Sequence, residues 1–218
     1  GKSAHDALEE LWKQSMGGWH ERPVQWVLDV DIKSYFDTLD HTHLRQILDK
    51  RIRDGVIRRL IDKWLKAGVM EKGTLSYNEA GTPQGGVISP LLSNIYLHEV
   101  LDDWFESEVQ PRMSGRAFLV RYADDFVIGF EHEEDARRVM AVLPKRFERF
   151  GLKLHPEKTR LIEFKAQPVR NRKPEKEDDH NDNQRPPRKF DFLGFTHHWG
   201  HTRKGKPIVK RSTASSRF

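Results

Sequence analysis

Three aspartates give this sequence its chemistry. Asp31 closes an alternating apolar run, and Asp124-Asp125 sits between the runs Ala117–Tyr122 and Phe126–Glu131. If the elements carrying them lie side by side, three carboxylates meet at one sheet edge. Left unpaired they repel by several kcal/mol (~4 for a close pair at an effective dielectric near 20). One or two hard divalent cations would relieve that repulsion. An oxygen-only ligand set, with no His or Cys, favours magnesium over zinc. Two such ions ~4 Å apart activate an attacking hydroxyl and stabilise a leaving group in an in-line displacement. An Asp-Asp pair is also ordinary turn chemistry, since Asp tolerates turn conformations. The apolar flanks Phe118–Val120 and Phe126–Ile128 argue instead for a tightly held hairpin.

The elements follow from periodicity. Ser3 and Asp6 form a capping box ahead of Leu8, Leu11 and Trp12, and Gly17-Gly18 ends that helix. Val24, Trp26, Leu28, Val30 and Ile32 alternate with Val27, Asp29 and Asp31, which predicts a strand buried on one face. Asp40 caps a helix running to about Arg53. A second helix carries Val56, Ile57, Leu60, Ile61, Trp64 and Leu65. A small hairpin turns at Lys72-Gly73, and residues 81–86 read as a loop. Ser89-Pro90 opens a long helix. Two strands meet at Ala123-Asp124-Asp125, and a helix spans about Glu133 to Phe150. Short strands at Leu152–Leu154 and Leu161–Phe164 flank His155-Pro-Glu-Lys158. Residues 168–189 hold four Pro, seven basic and five acidic residues, which predicts a weakly ordered charged insertion. Phe190–Phe195 returns to strand, and Gly205 turns a last hairpin. The order is that of an α+β, ferredoxin-like split βαβ unit: an antiparallel sheet with helices on one face.

Composition narrows the setting. The chain has 218 residues, a net charge of +5 and no cysteine. No apolar run approaches the ~18 residues that cross a bilayer, so no membrane partner is expected. The absence of cysteine excludes disulfides and thiol catalysis and suits a reducing cytoplasm. From His197 onward there are six basic residues and no acidic ones, which suggests a polyanionic partner such as nucleic acid. His197, His198 and His201 form too incomplete a set for zinc.

At these residues the sequence resembles reverse transcriptases encoded by bacterial group II introns. Tyr122-Ala-Asp-Asp125 is similar to that family's catalytic hairpin, and Asp31-Ile-Lys-Ser-Tyr-Phe36 to its first catalytic strand. Gly81-Thr-Pro-Gln-Gly-Gly-Val-Ile-Ser-Pro-Leu-Leu-Ser-Asn94 resembles its loop and helix for template and nucleotide. Gly151–Thr159 and Phe190–Phe195 resemble later palm blocks. The resemblance implies a polymerase palm in a cytoplasmic bacterial protein. Asp31, Asp124, Asp125 and the backbone carbonyl of Ile32 would hold two Mg2+ ions, with Mn2+ able to substitute. Lys158 would stand near the triphosphate. Lys33, Ser34, Phe36, Gln84 and Gly85 would line the nucleotide site, with Phe36 excluding a 2′-hydroxyl. Arg121 and Lys33 also read as surface charges flanking strands. Implied partners are intron RNA template, DNA primer or target DNA, and dNTP.

The resemblance also implies an organisation. Residues 1–22 would be a helix leading from a fingers region, 23–167 the palm, 168–189 the insertion, and 190–218 the end of the palm. Fingers and thumb would lie outside the chain. Two functions stand: an RNA-directed DNA polymerase palm, or a non-polymerising RNA-binding maturase module that keeps the palm as scaffold. Crowded carboxylates favour the first. A nucleotide cyclase on the same fold would need a Gly-Gly-acidic hairpin that is not here.

Overall fold

The computed structural model describes residues 2–17, 22–66, 69–71, 74–76, 88–166 and 188–215. Its centre is a four-stranded antiparallel sheet in the order β4-β5-β1-β6, with β1 Trp26–Val30, β4 Ala117–Tyr122, β5 Asp125–Phe130 and β6 Arg160–Glu163. This is the split βαβ arrangement. The register pairs Val30 with Phe126, so Asp31 and Asp125 are the next residues out on adjoining strands. Beyond Val30 the chain stays attached to the sheet through an antiparallel bridge between Ile32 and Leu154.

Alternation along β1 and β5 divides the apolar residues between two cores. Leu28, Val30, Ile32, Phe126, Ile128 and Phe130 face the helical layer. That layer contains α3 His41–Arg51, capped by Asp40, which accepts from the His43 amide at 2.8 Å. It also contains α5 Ser89–Leu97, opened with Pro in its first turn, and α6 Glu133–Glu148. A short helix, α2 Tyr35–Thr38, follows the end of β1.

The other face of the sheet is also buried. Val27, Phe118, Val120, Val127 and Ile162 pack against Ala7, Leu8 and Leu11 of α1 Ala4–Met16 and against Phe190, Phe192 and Val209. The last three belong to a second sheet of β7 Lys189–Phe192, β8 Phe195–His201 and β9 Pro207–Thr213. The expectation that β1 is buried on one face is thus corrected. Asp29 made that face look wet, yet its carboxylate is held by Arg160 at 3.0 Å. Close packing extends to Gly129, where a Cβ would lie 2.3 Å from the Phe118 ring.

Other boundaries differ in detail. Phe190–Phe195 is two strands, because Leu193 and Gly194 both take positive φ (50° and 79°) in a tight turn. Lys189, placed in the charged insertion, already belongs to β7. Most of that insertion, residues 168–187, lies outside the described residues. The small hairpin appears as β2 Val69–Glu71 and β3 Thr74–Ser76. In α4 Gly55–Lys66, Ile61 and Leu65 are buried, while Val56, Ile57, Leu60 and Trp64 stand exposed. No helix among the described residues is long and apolar enough to cross a membrane.

Asp135 of α6 anchors the approach to β4. Its buried carboxylate accepts from the Ser114 amide (3.0 Å), the Ser114 hydroxyl (2.9 Å) and the Gly115 amide (3.0 Å), and pairs with Arg138. Burial pushes its pKa up, but these hydrogen bonds outweigh burial and hold it below the ordinary value. Asp135→Ala should cost about 3 kcal/mol by leaving buried donors unsatisfied. Urea unfolding at pH 7 measures this, and a loss under ~0.5 kcal/mol would be typical of an ordinary surface site instead.

His197 is a core residue, not a zinc ligand. It is fully buried and stacked on Phe190 with centroids 5.1 Å apart, and no well-formed hydrogen bond reaches either ring nitrogen. Burial, then the Arg211 charge, lowers its pKa from 6.5 to about 4. The unfolded chain therefore takes up this proton first. The neutral ring's contribution is full above pH ~6.5 and is lost as pH falls towards ~4, by up to about 3 kcal/mol. Urea unfolding between pH 7 and 4.5 should show a shallower pH slope for His197→Leu than for the parent; equal slopes would contradict this.

Candidate active site

The end of β1 and the β4–β5 hairpin form one edge of the central sheet. Tyr122 pairs with Asp125, leaving Ala123 and Asp124 as a two-residue turn with Ala123 at φ 57°. A non-glycine residue in that region is uncommon, and such strain gathers at functional sites. Asp124 is half-buried and Asp125 exposed at the turn. Asp31 is set by the backbone on its other side, where its carbonyl accepts from the His155 amide at 2.8 Å. The turn His155–Thr159 that follows brings the Lys158 ammonium within 3.0 Å of the Asp31 carboxylate.

The three carboxylates feel one another. Although the Asp125 side chain reaches solvent, its pKa is raised, first by partial desolvation of the carboxylate against the packed sheet edge, then by the charges of Asp124 and Asp31. Asp29, two residues before Asp31, is also raised by burial, but Arg160 opposes that shift. Asp29 and Asp31 are each paired with a cation, and the deeper side chain of Asp29, 18% exposed against 38% for Asp31, marks it as the structural aspartate. Among the described residues, no three His, Asp or Glu side chains are gathered tightly enough to hold a metal ion as they stand. Asp31 is paired with Lys158 instead. The donor set of carboxylate oxygens at a shared edge still fits a hard divalent cation, whose charge would offset the repulsion that raises Asp125.

The remaining expected site residues fall as follows. Ile32 is buried in the helix-side core. Lys33 is exposed, with its amide donating to the Lys153 carbonyl at 2.8 Å. Ser34 takes a left-handed conformation (φ 48°) and turns the chain into α2. Phe36 is half-buried against the helix-side core, its ring tilted on Tyr35 at 5.3 Å. Gln84 and Gly85 lie outside the described residues. Arg121 corrects the surface-charge reading: its side chain is only 12% exposed. It donates to both oxygens of Asp102 (2.8 and 2.5 Å), to Asn94 Oδ1 (2.9 Å) and to the Ala123 carbonyl (2.8 Å). No sequence signal linked Arg121 to Asp102, 19 residues away on a helix.

With this geometry, the match of residues 2–197 to the family model for reverse transcriptase (RNA-dependent DNA polymerase) decides the family. The chain belongs to the reverse transcriptases. Group II intron-encoded protein LtrA of Lactococcus lactis subsp. cremoris is 42% identical over 99 residues, 45% of this chain and 16% of LtrA. Protein YkfC of Escherichia coli is 36% identical over 154 residues, 58% of this chain and 40% of YkfC. The chain thus spans less than half the length of these two curated relatives. Part of telomerase shares this fold. An apo telomerase from Candida tropicalis, truncated from its C-terminal domain, superposes with a TM-score of 0.62. It is 17% identical and covers 96% of this chain and 39% of that one. Telomerase from Candida albicans, in complex with a TWJ fragment of telomeric RNA, gives 0.59 at 16% identity over 88% of this chain and 31% of its own.

Proposed function

We propose that this reverse transcriptase chain is the catalytic palm of an RNA-directed DNA polymerase that adds deoxynucleotides to a primer 3′-hydroxyl. Its setting is a group II intron-encoded protein that serves splicing and retrohoming, with intron RNA as template and a DNA primer or target. The observation that carries this reading is the sheet edge that puts Asp31 across from the Asp124-Asp125 hairpin within a reverse transcriptase palm.

Asp31, Asp124, Asp125 and the Ile32 carbonyl would hold two magnesium ions, with manganese able to substitute. When bound, such ions supply a more acidic attacking hydroxyl and charge stabilisation for the departing pyrophosphate. The chain's own groups do the rest. Lys158, already 3.0 Å from Asp31, offers an ammonium proton and positive charge where the triphosphate would lie. Phe36 meets the sugar, while Lys33, Ser34, Gln84 and Gly85 border the nucleotide. The bacterial cytoplasm is where this role belongs.

Protein expressed from the full open reading frame is assayed for magnesium-dependent extension of oligo(dT) on poly(rA), with RNA binding measured in parallel. Extension that depends on Asp31 and Asp124 supports the polymerase. RNA binding without extension in any divalent cation would establish the maturase module instead.

A further inference from the structure

Four of the five N–H donors of a guanidinium are engaged at Arg121. Nε and Nη2 take the two oxygens of Asp102, and Nη1 bridges Asn94 Oδ1 and the Ala123 carbonyl. This planar fork could not be reproduced by a lysine. Its acceptors lie on two elements, the helix that begins at Ser89 and the turn carrying Asp124-Asp125.

The helix is built for this meeting. In a regular α-helix Asn94 and Asp102, eight residues apart, would point about 80° from each other. The helix instead widens to a π turn at His98–Asp102, where the Asp103 amide donates to the His98 carbonyl. One extra residue in the turn reduces that divergence to about 20°. Asn94 and Asp102 then address the same guanidinium. The same stretch of helix also holds the other half of the site. The Tyr35 hydroxyl donates to the Ser93 carbonyl at 2.6 Å, and Tyr35 follows Asp31 by four residues. Neighbouring residues Ser93 and Asn94 therefore fix the chain just after Asp31 and just before Asp124.

Resting on the polymerase reading above, we propose that Arg121, clamped by Asp102 and Asn94, is a positioning residue. It holds the left-handed Ala123 turn against the helix and so keeps Asp124 and Asp125 on the sheet edge they share with Asp31, where a pair of divalent cations would draw the three carboxylates together. The clamp acts through the Ala123 carbonyl and touches no substrate. It explains why a strained turn with a non-glycine residue persists: the helix over-determines it.

The test uses the full-length protein with Arg121→Lys, Arg121→Ala, Asp102→Asn and, as a control, Asp124→Asn. Mn2+ affinity is read by electron paramagnetic resonance, hairpin opening by amide exchange at Ala123–Phe126, and single-nucleotide insertion by kcat and KM. Arg121→Lys keeps the charge and should melt within a few degrees of the parent. It should bind Mn2+ at least ~10-fold more weakly, the size expected for loss of a residue that orients ligands. Its kcat should fall by a similar factor with the KM for dNTP nearly unchanged, and the hairpin amides should exchange at least ~10-fold faster. Arg121→Lys with parental Mn2+ affinity, kcat and hairpin exchange would overturn the clamp and leave Arg121 an ordinary buried ion pair. A parent that binds no Mn2+, alike with Asp124→Asn, would overturn the polymerase reading instead. Amide exchange then judges the clamp alone: acceleration in Arg121→Ala or Asp102→Asn, with global unfolding unmoved, supports it, and unchanged exchange refutes it.

Discussion

Asp124→Asn in the full-length protein should reduce nucleotide insertion by at least ~10³-fold, about 4 kcal/mol of barrier, while making the metal-free protein slightly more stable. Both effects have one cause. Asp124 places a second negative charge beside Asp125, whose pKa burial and its neighbours hold above the ordinary value. A raised carboxylate pKa favours folding when the group is protonated, and that advantage is lost as pH rises through the folded-state pKa. At neutral pH the cluster is therefore a liability without a cation, and removing one charge relieves it. These side chains are solvated, so screening limits the gain to ~0.2–1 kcal/mol. That corresponds to a rise of roughly 1–3 °C in Tm for a domain of this size. Differential scanning calorimetry in EDTA and single-turnover insertion in magnesium measure the two halves. An NMR titration should also find the Asp125 pKa lowered in the variant. Retained insertion, or a lower Tm in EDTA, would show that Asp124 is a structural turn residue.

Phe36→Val should change sugar choice rather than speed. Phe36 sits in α2, just past the left-handed Ser34, and its ring is only half-buried, with one side against the helix-side core. The open part of the ring is free to meet a nucleotide. If the ring lies under the 2′ position, a hydroxyl there overlaps it, at ~1–3 kcal/mol in a packed site. The hydroxyl also loses water without gaining a partner. Together these effects support ~10–1,000-fold discrimination. Timing single insertions of dNTP and NTP for parent and variant gives the ratio directly. Phe36→Val should admit ribonucleotides while keeping most dNTP insertion. An unchanged ratio would make Phe36 a core side chain and nothing more.

The central sheet was legible because its signals are local. Alternation marked β1, apolar flanks marked the β4–β5 hairpin, and Ser3 and Asp40 cap their helices as their spacing implies. The facing of Asp31 and Asp125 then followed from strand order. What was not legible depends on contacts far apart in sequence. Asp29 marked one face of β1 as polar, because Arg160 is 131 residues away. Arg121 looked like a surface charge, because a π turn cannot be read from a 3.6-residue period. The set of His197, His198 and His201 is too incomplete for zinc and suits an exposed hairpin, and only the second sheet reveals that His197 lies beneath Phe190 and opposite Arg211. Each error exchanged a buried, partnered or stacked group for an exposed one.

The first helix has a consequence for synthesis. Trp12 donates its indole N–H to the Val209 carbonyl at 3.0 Å, across 197 residues of chain. Leu8 and Leu11 share one apolar cluster with Val209 and with Phe190 and Phe192. At ~5–20 residues per second, a ribosome needs roughly 10–40 s between making Trp12 and making Val209. Throughout that interval the N-terminal helix has its own amphipathic seam but not the sheet that completes its cover. The central sheet can form behind it with one face still open. Docking of the β8–β9 hairpin should therefore be a late step in the cotranslational folding of these two sheets, and nascent chains stalled before β9 should aggregate more readily than those stalled after it.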